Sequence, residues 1–178
     1  MAAGTMGPLR DLGPAMAVWG TTTIAEIFGE VKLSLIGAEP AEVFEALYGA
    51  TPVDSIMFGY SACNVTIPMT RTVLSTFATL LPGGSLSSPN SGVVLKPAGI
   101  VGRSMYDNGL PLFIKPIVDG AAAPNNHWLR LEKTYPVPNF DVTFDLVTQR
   151  VYGMTFRAHP LATTKVLWSA GHVSESAT

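Results

Sequence analysis

Three histidines, one cysteine and a pair of aspartates are the first candidates for chemistry in this chain. His127, His159 and His172 share no metal-ligand spacing, and each adjoins a Trp, Pro or Gly at a predicted strand end. Asp141 and Asp145 would lie on one strand face about 13 Å apart, beyond the ~6.5–9.5 Å of an inverting carboxylate pair. Surface histidines and a solvated strand face are therefore the better interpretation.

Cys63 is the single cysteine, so an intrachain disulfide, a thiolate zinc site or a CxxC redox pair cannot form. It has no basic neighbour in sequence, which favours a structural strand cysteine over a nucleophile. The Pro-Gly-Gly at 82–84 lacks both the GK[ST] ending and the GxGxxG pattern of phosphate loops. The sequence offers no catalytic constellation, and we predict neither an enzyme nor a cofactor.

Composition points to a folded chain that associates with itself. The 178 residues fit one domain, and 47% hydrophobic with 13% charged residues excludes disorder along the whole chain. So few charges make a surface easy to bury against partners. The net charge of -2 argues against tight binding to phosphate backbones, and no apolar run reaches the ~20 residues of a membrane span.

Residues 48–82 form the stretch around which the other elements are arranged. They predict a turn over 48–55, one long strand over 55–68, and a short helix that Pro82 and Gly83 stop. Apolar residues occupy even positions up to Ala62 and odd positions from Cys63 onward. Because a one-residue slip turns later side chains to the other face, we predict a bulge near Ala62 and Cys63.

The helix is predicted over about residues 70–81, with Thr70 as its N-cap. Its apolar stripe would pack on the sheet, and Val73, Leu74 and Phe77 are the predicted core contacts. Leu80 and Leu81 continue the stripe.

Alternating patterns predict further strands along the chain. The predicted segments are 24–36, 110–118 (with prolines that suit an edge or bulged position), 128–134, a hairpin of 140–146 with 152–158, and 165–170. The pattern of 41–47 fits a strand or a helix, and its strand neighbours favour a strand. The predicted fold is mainly β, a β-sandwich or β-barrel-like domain with one short flanking α-helix. We expect an irregular N-terminal arm over 1–20, anchored by Trp19, one β-rich domain over 21–171 and a loose tail over 172–178.

Four motifs occur in a fixed order along residues 29–171. They are Gly29-Glu30-Val31-Lys32-Leu33-Ser34-Leu35, then Gly49-Ala50-Thr51-Pro52-Val53-Asp54-Ser55-Ile56 with Gly59 three residues on, then RVYGMTFRAHP from Arg150 and VLWSAG from Val166. In this order they resemble the major tail tube proteins of tailed bacteriophages. The fit is poorest over the first 20 residues and over 110–118.

The resemblance implies a structural virion protein, made in the host cytoplasm, that is not an enzyme. Six subunits would form a ring, and stacked rings would form a hollow, usually acidic, tube through which DNA passes non-specifically. The implied partners are further copies of the chain and other tail proteins: a terminator, a tape measure and, in a contractile tail, a sheath. The resemblance implies no membrane partner.

Two sets of residues are expected to serve assembly. The turn over 48–55 should project and contact the next ring through Tyr48, Gly49, Thr51, Pro52 and Asp54. The strands around 31–35 and 55–68 should pair across subunits into one closed barrel, because no charge or proline protects the second strand from 55 to 67. Their polar residues, Lys32, Ser34, Asn64 and Thr66, are then candidates for the wall of the lumen.

Other functions remain open at this point. A tail terminator or head-completion protein also forms β-rich rings. A β-barrel binder of small ligands belongs to a different class, and a hydrolase with unrecognised residues is a third alternative.

Overall fold

The computed structural model describes residues 14–24, 27, 29–70, 73–87, 94–118, 120–142, 151–171 and 173, without the side chains of 97 and 138–142. Within these residues the chain is mainly β with a single α-helix, as predicted. The strands are β1 (Ala15–Trp19), β2 (Thr22–Ile24), β3 (Lys32–Gly37), β4 (Ala41–Phe44), β5 (Pro52–Ile56), β6 (Tyr60–Met69), β7 (Gly84–Ser87), β8 (Val94–Pro97), β9 (Leu110–Val118), β10 (Ala121–Ala122), β11 (Trp128–Val142), β12 (Tyr152–His159) and β13 (Trp168–Gly171), and the helix is α1 (Leu74–Leu80).

Antiparallel pairing joins nine of these strands into one sheet. Its order is β2-β1-β9-β11-β12-β6-β3, with β10 paired to β9 and β13 paired to the first part of β11. Two small two-stranded sheets, β4-β5 and β7-β8, stand apart from it. Of the segment 41–47, residues 41–44 form β4, as preferred, and a 3₁₀ turn begins at Ala46. The pairing of 140–142 in β11 with 152–154 in β12 is the described part of the predicted late hairpin, and residues 143–146 lie outside the described residues.

The core lies on one face of the large sheet, in the sandwich-like arrangement that the alternating patterns predict. The odd residues of β6, from Cys63 to Met69, are buried together with Met154 and Phe156 of β12. Residues from β1, β9 and β11 belong to the same cluster. Helix α1 packs against this face through Phe77, whose ring lies 4.9 Å from that of Tyr152.

Residues 14–20 do not form an irregular arm, and this part of the prediction is wrong. They enter the sheet as β1, because β1 pairs with β9 on one side and with β2 on the other. The expected anchor is confirmed: Trp19 is buried, its Nε1 donates to the carbonyl of Thr134 at 3.0 Å, and its ring contacts Tyr135 and Phe156. Residues 1–13 lie outside the described residues.

The long strand predicted over 55–68 is two strands. β5 ends at Ile56, Gly59 takes a positive φ of 82°, and β6 begins at Tyr60. The predicted bulge is present one residue early, at Ser61, because Ile36 pairs with Ala62 whereas Gly37 pairs with Tyr60. The change of phase in the sequence therefore marks the place where the chain leaves a separate hairpin and enters the sheet.

The helix is shorter than predicted. Its N-cap is Val73, without a side-chain cap, and Thr70 is buried before the helix begins. Val73 and Leu74 are 67% and 43% exposed, so they are not core contacts, whereas Phe77 is 5% exposed. A helix of two turns presents only a narrow stripe to the sheet, and Phe77 and Leu80, three residues apart, fill it.

Pairing also tests the expectation of an edge or bulged position for the prolines of 110–118. β9 is not an edge strand, but Pro111 lies at the register irregularity with β11, which confirms a bulged position for it, and Pro116 lies beyond the residues paired with β11. At the C-terminus Val173 is buried, and its N–H donates to the carbonyl of Asn125. Val173 is the one described residue of the predicted tail, and residues 172 and 174–178 lie outside the described residues.

Replacing Phe77 with Ala should lower the free energy of unfolding by about 3–5 kcal/mol, because it empties a buried aromatic site between helix and sheet. The matched control is Val73→Ala, which changes an exposed residue beside the same helix and should stay within about 0.5 kcal/mol. Denaturant melts measure both. A loss under about 1 kcal/mol for Phe77→Ala would contradict the packing of α1.

Candidate assembly surface

The chain segment that connects β3 to β6 forms a hairpin of β4 and β5, which is a separate two-stranded sheet. Ala41 pairs with Ile56, and Val43 pairs with Asp54. A 3₁₀ turn at Ala46–Tyr48 joins the strands, followed by Gly49 with a φ of 64°. We call residues 41–58 the arm.

The arm is held to the body at its base. The N–H of Ala38 donates to the carbonyl of Gly59 at 2.8 Å, which brings the two connecting segments together. From 42 to 60 every residue is exposed. Residues 48–55, predicted to project as a turn, are thus exposed and form the outer part of a larger hairpin that includes most of β5.

Large apolar side chains cover the arm on both faces. Leu47 is 86% exposed, Met57 84% and Phe58 65%, and the others are Val43, Phe44, Tyr48, Val53 and Ile56. Aromatic side chains alone bring ~150–250 Å² each. Exposed apolar clusters of this kind are typical of interaction sites.

Two strands without a packed layer are only marginally stable in water. No described residues form such a layer over the arm, because the cross-strand pairs from Glu42 onward remain exposed on both faces. Its fold would gain stability if a partner covered either face.

The arm region is also acidic. Glu39, Glu42, Glu45 and Asp54 lie between 38 and 59, and this segment contains no Lys, Arg or His. Since the chain has 13 acidic and 11 basic residues, the segment carries -4 and the remainder of the chain +2.

The five predicted contact residues all lie on the outer half of the arm and are exposed. Tyr48 ends the 3₁₀ turn, Gly49 and Thr51 follow it, Pro52 opens β5, and Asp54 accepts a hydrogen bond from the N–H of Ser55 at 2.7 Å. The sequence analysis missed Leu47, Met57 and Phe58. The run of acids without a cation is a signal that could have separated this segment from the core strands.

The four predicted lumen residues share the outward face of the sheet. Lys32 pairs with Thr66 and Ser34 with Asn64, while β12 adds Thr155 opposite Thr66 and Arg157 opposite Asn64. The hydroxyls of Thr66 and Thr155 lie 3.3 Å apart. We call these six residues the polar wall. Lys32 and Arg157 form no ion pair within the described part of the chain.

The expected pairing of both strands across subunits is corrected in part. β6 lies between β12 and β3, so both of its edges are already used within one chain. β3 pairs only with β6 among the described strands, which leaves its outer edge free. The strand pair of the sequence analysis is thus intramolecular, and of these two strands only β3 has an edge that can extend the sheet into another subunit.

The residues first considered for chemistry are dispersed. Cys63 is buried, and this burial raises the pKa of its thiol. His127 ends a 3₁₀ turn and His159 ends β12, and the described residues contain no group of metal-ligating side chains. Asp145 and His172 lie outside the described residues, and the side chain of Asp141 is not described.

Lowering the pH should weaken the fold through His159. Its Nε2 is buried without a hydrogen-bond partner in the described structure, and burial, followed by the charge of Arg157, lowers its pKa. The folded state then favours the neutral ring, so stability is lost as the pH falls below about 6.5 toward the lower folded pKa.

Denaturant midpoints at several pH values should show this loss in the native protein and less of it in His159→Gln. Arg157→Gln, which removes the smaller cause, should reduce the loss and keep the ring. Equal pH dependence in all three proteins would contradict this role for His159.

No protein-family model matches this chain, and no curated protein matches its sequence. Within the part of the chain that the structure describes, no helix is long and apolar enough to cross a membrane. The arm, the polar wall and the free edge of β3 are the features from which a function is inferred.

Proposed function

We propose that this chain is a structural virion protein, a tail tube protein that assembles into stacked hexameric rings around a channel for DNA. The arm is the observation that carries the proposal. It combines an exposed apolar surface with marginal stability as an isolated ribbon, and both features are typical of an element that a partner covers.

The edges of the large sheet support assembly of a closed ring. β3 and β2 are the terminal strands of the described path, and they differ in length and sequence. Contact between two unlike surfaces is heterologous, and such contacts produce a ring when the rotation closes. Pairing of the free edge of β3 with a neighbour would satisfy its unpaired N–H and C=O groups.

The polar wall supports a channel lining. Its hydroxyl and amide groups face away from the core, where they can stay hydrated beside a passing duplex. The resemblance implies an acidic channel, but these six residues contain two cations and no carboxylate. An acidic lining would therefore have to come from other parts of the chain.

The same proposal places the protein in the virion tail, with the terminator, the tape measure and, in a contractile tail, the sheath as partners. Sedimentation velocity and negative-stain imaging separate it from the alternatives. A tube protein gives rings and polymers, a terminator or head-completion protein stops at a single ring, and a small-ligand binder stays monomeric.

The double change Leu47→Asp with Met57→Asp should leave a folded monomer that no longer forms rings or tubes. Both side chains are more than four-fifths exposed, so the fold should lose less than about 1 kcal/mol, whereas buried carboxylates would oppose contact with a partner. The matched control is Val166→Asp, at a half-exposed apolar position outside the arm.

Deleting residues 50–53 shortens the arm and should have the same effect on assembly. Circular dichroism tests the fold, and negative-stain images give the length of the polymers. Tubes of normal length from either arm variant would exclude the arm from the assembly.

A further inference from the structure

A cavity of about 400 Å³ lies between the C-terminal end of α1 and the loop over residues 98–109. The rings of Trp19 and Tyr135 line it, together with Leu81, Ile100, Arg103 and Asn108. Its volume falls within the ~300–1,000 Å³ of ligand pockets, so it can admit a side chain such as Tyr or Leu.

Tight backbone contact keeps this cavity formed. The N–H of Ala98 donates to the carbonyl of Gly83 at 3.0 Å. Gly83 has a φ of 73°, and a Cβ there would collide with the carbonyl oxygen of Ala98. The loop is therefore held closely against the turn that follows α1.

The cavity combines a cation with apolar surface. Arg103 is exposed, donates to the Tyr135 hydroxyl at 3.3 Å and forms no ion pair with a described residue. At its rim Ile100 is 43% exposed and the adjoining Val101 is fully exposed. Lys96 on β8 is a second exposed cation close in sequence, and Asp107 is the one acid of the loop.

We propose that this cavity receives the tip of the arm, residues 45–48, from a second copy of the chain; the inference rests on the proposed self-assembly. The tip offers the carboxylate of Glu45 to Arg103 in the cavity. Its apolar side chains, Leu47 and Tyr48, face the exposed apolar residues of the rim, Ile100 and Val101. Aromatic anchors in a pocket and paired charges at its rim are features of stable interfaces.

Charge selects this partner over another arm. Two arms repel each other, because the segment over 38–59 carries -4, whereas the remainder of a second copy carries +2. The arm and the cavity are different surfaces of the same chain. Each contact therefore leaves a free cavity on the subunit that gives its arm, and a free arm on the subunit that receives it. Such a contact propagates from subunit to subunit.

Intermolecular cross-linking tests the contact. Two variants, Leu47→Cys and Val101→Cys, carry different tags and are mixed under assembly conditions with a mild oxidant. The native Cys63 is buried, so the wild-type protein, which carries only this thiol, gives the background level of cross-linking. The mixed disulfide should exceed that of a control pair, Leu47→Cys with Val166→Cys, by about tenfold or more, because docking holds the two thiols together.

Charge reversal is the second experiment. Glu45→Arg and Arg103→Glu should each reduce assembly, and the two changes combined in one chain should restore it. If the wild type assembles but the control pair cross-links equally and the reversed pair shows no rescue, the cavity is not the acceptor and the proposed function stands. If the wild type never assembles beyond a monomer, both proposals fail.

Discussion

Alternation along β6 is the constraint on which the other faces of the protein depend. Cys63, Val65, Ile67 and Met69 are each at most 1% exposed, and a buried side chain of this kind contributes about 1.5–3 kcal/mol. A slip of one residue would turn Asn64 and Thr66 into this core and expose the apolar set. Burial therefore sets the register with β3 and β12, and that register assembles the polar wall on the opposite face.

The apolar side chains of the arm, unlike the buried set of β6, are not buried within one chain. The two strands of the arm carry apolar side chains on both faces, and no third described strand pairs with them. Side chains such as Leu47 and Phe58 consequently remain in water. If a second copy covers them, the stability of the arm depends on protein concentration, because only the assembled state supplies the missing layer.

The two free surfaces of the subunit have different physical bases. The outer edge of β3 offers unpaired backbone groups, which recognise any extended strand, whereas the arm offers shape, apolar area and charge. Backbone pairing supplies strength with little selectivity, and the arm's negative charge discriminates between possible contacts. A subunit that carries both can join others in a defined orientation.

Local patterns were sufficient for the fold class, the late hairpin, the alternation of β6 and the outward face that holds Lys32 and Thr66, since each depends on side-chain periodicity alone. The phase change near Cys63 also located a real bulge. Periodicity could not show that residues 55–59 leave the sheet, because apolar side chains alternate in the same way whether their partner is the core or another subunit.

Tertiary structure decided the remaining points. Trp19 joined the sheet because its indole finds the Thr134 carbonyl, 115 residues away. Val73 and Leu74 stayed exposed because the sheet leaves room for only one stripe of α1. β9 accepted Pro111 at an irregularity of its pairing with β11, and Pro116 beyond the residues that pair with β11. The cavity beside Arg103 has no signature in sequence, since it arises where a glycine turn and a distant loop meet. Spacing along the chain carries the pattern of each strand, but which surfaces meet depends on contacts between residues far apart in sequence.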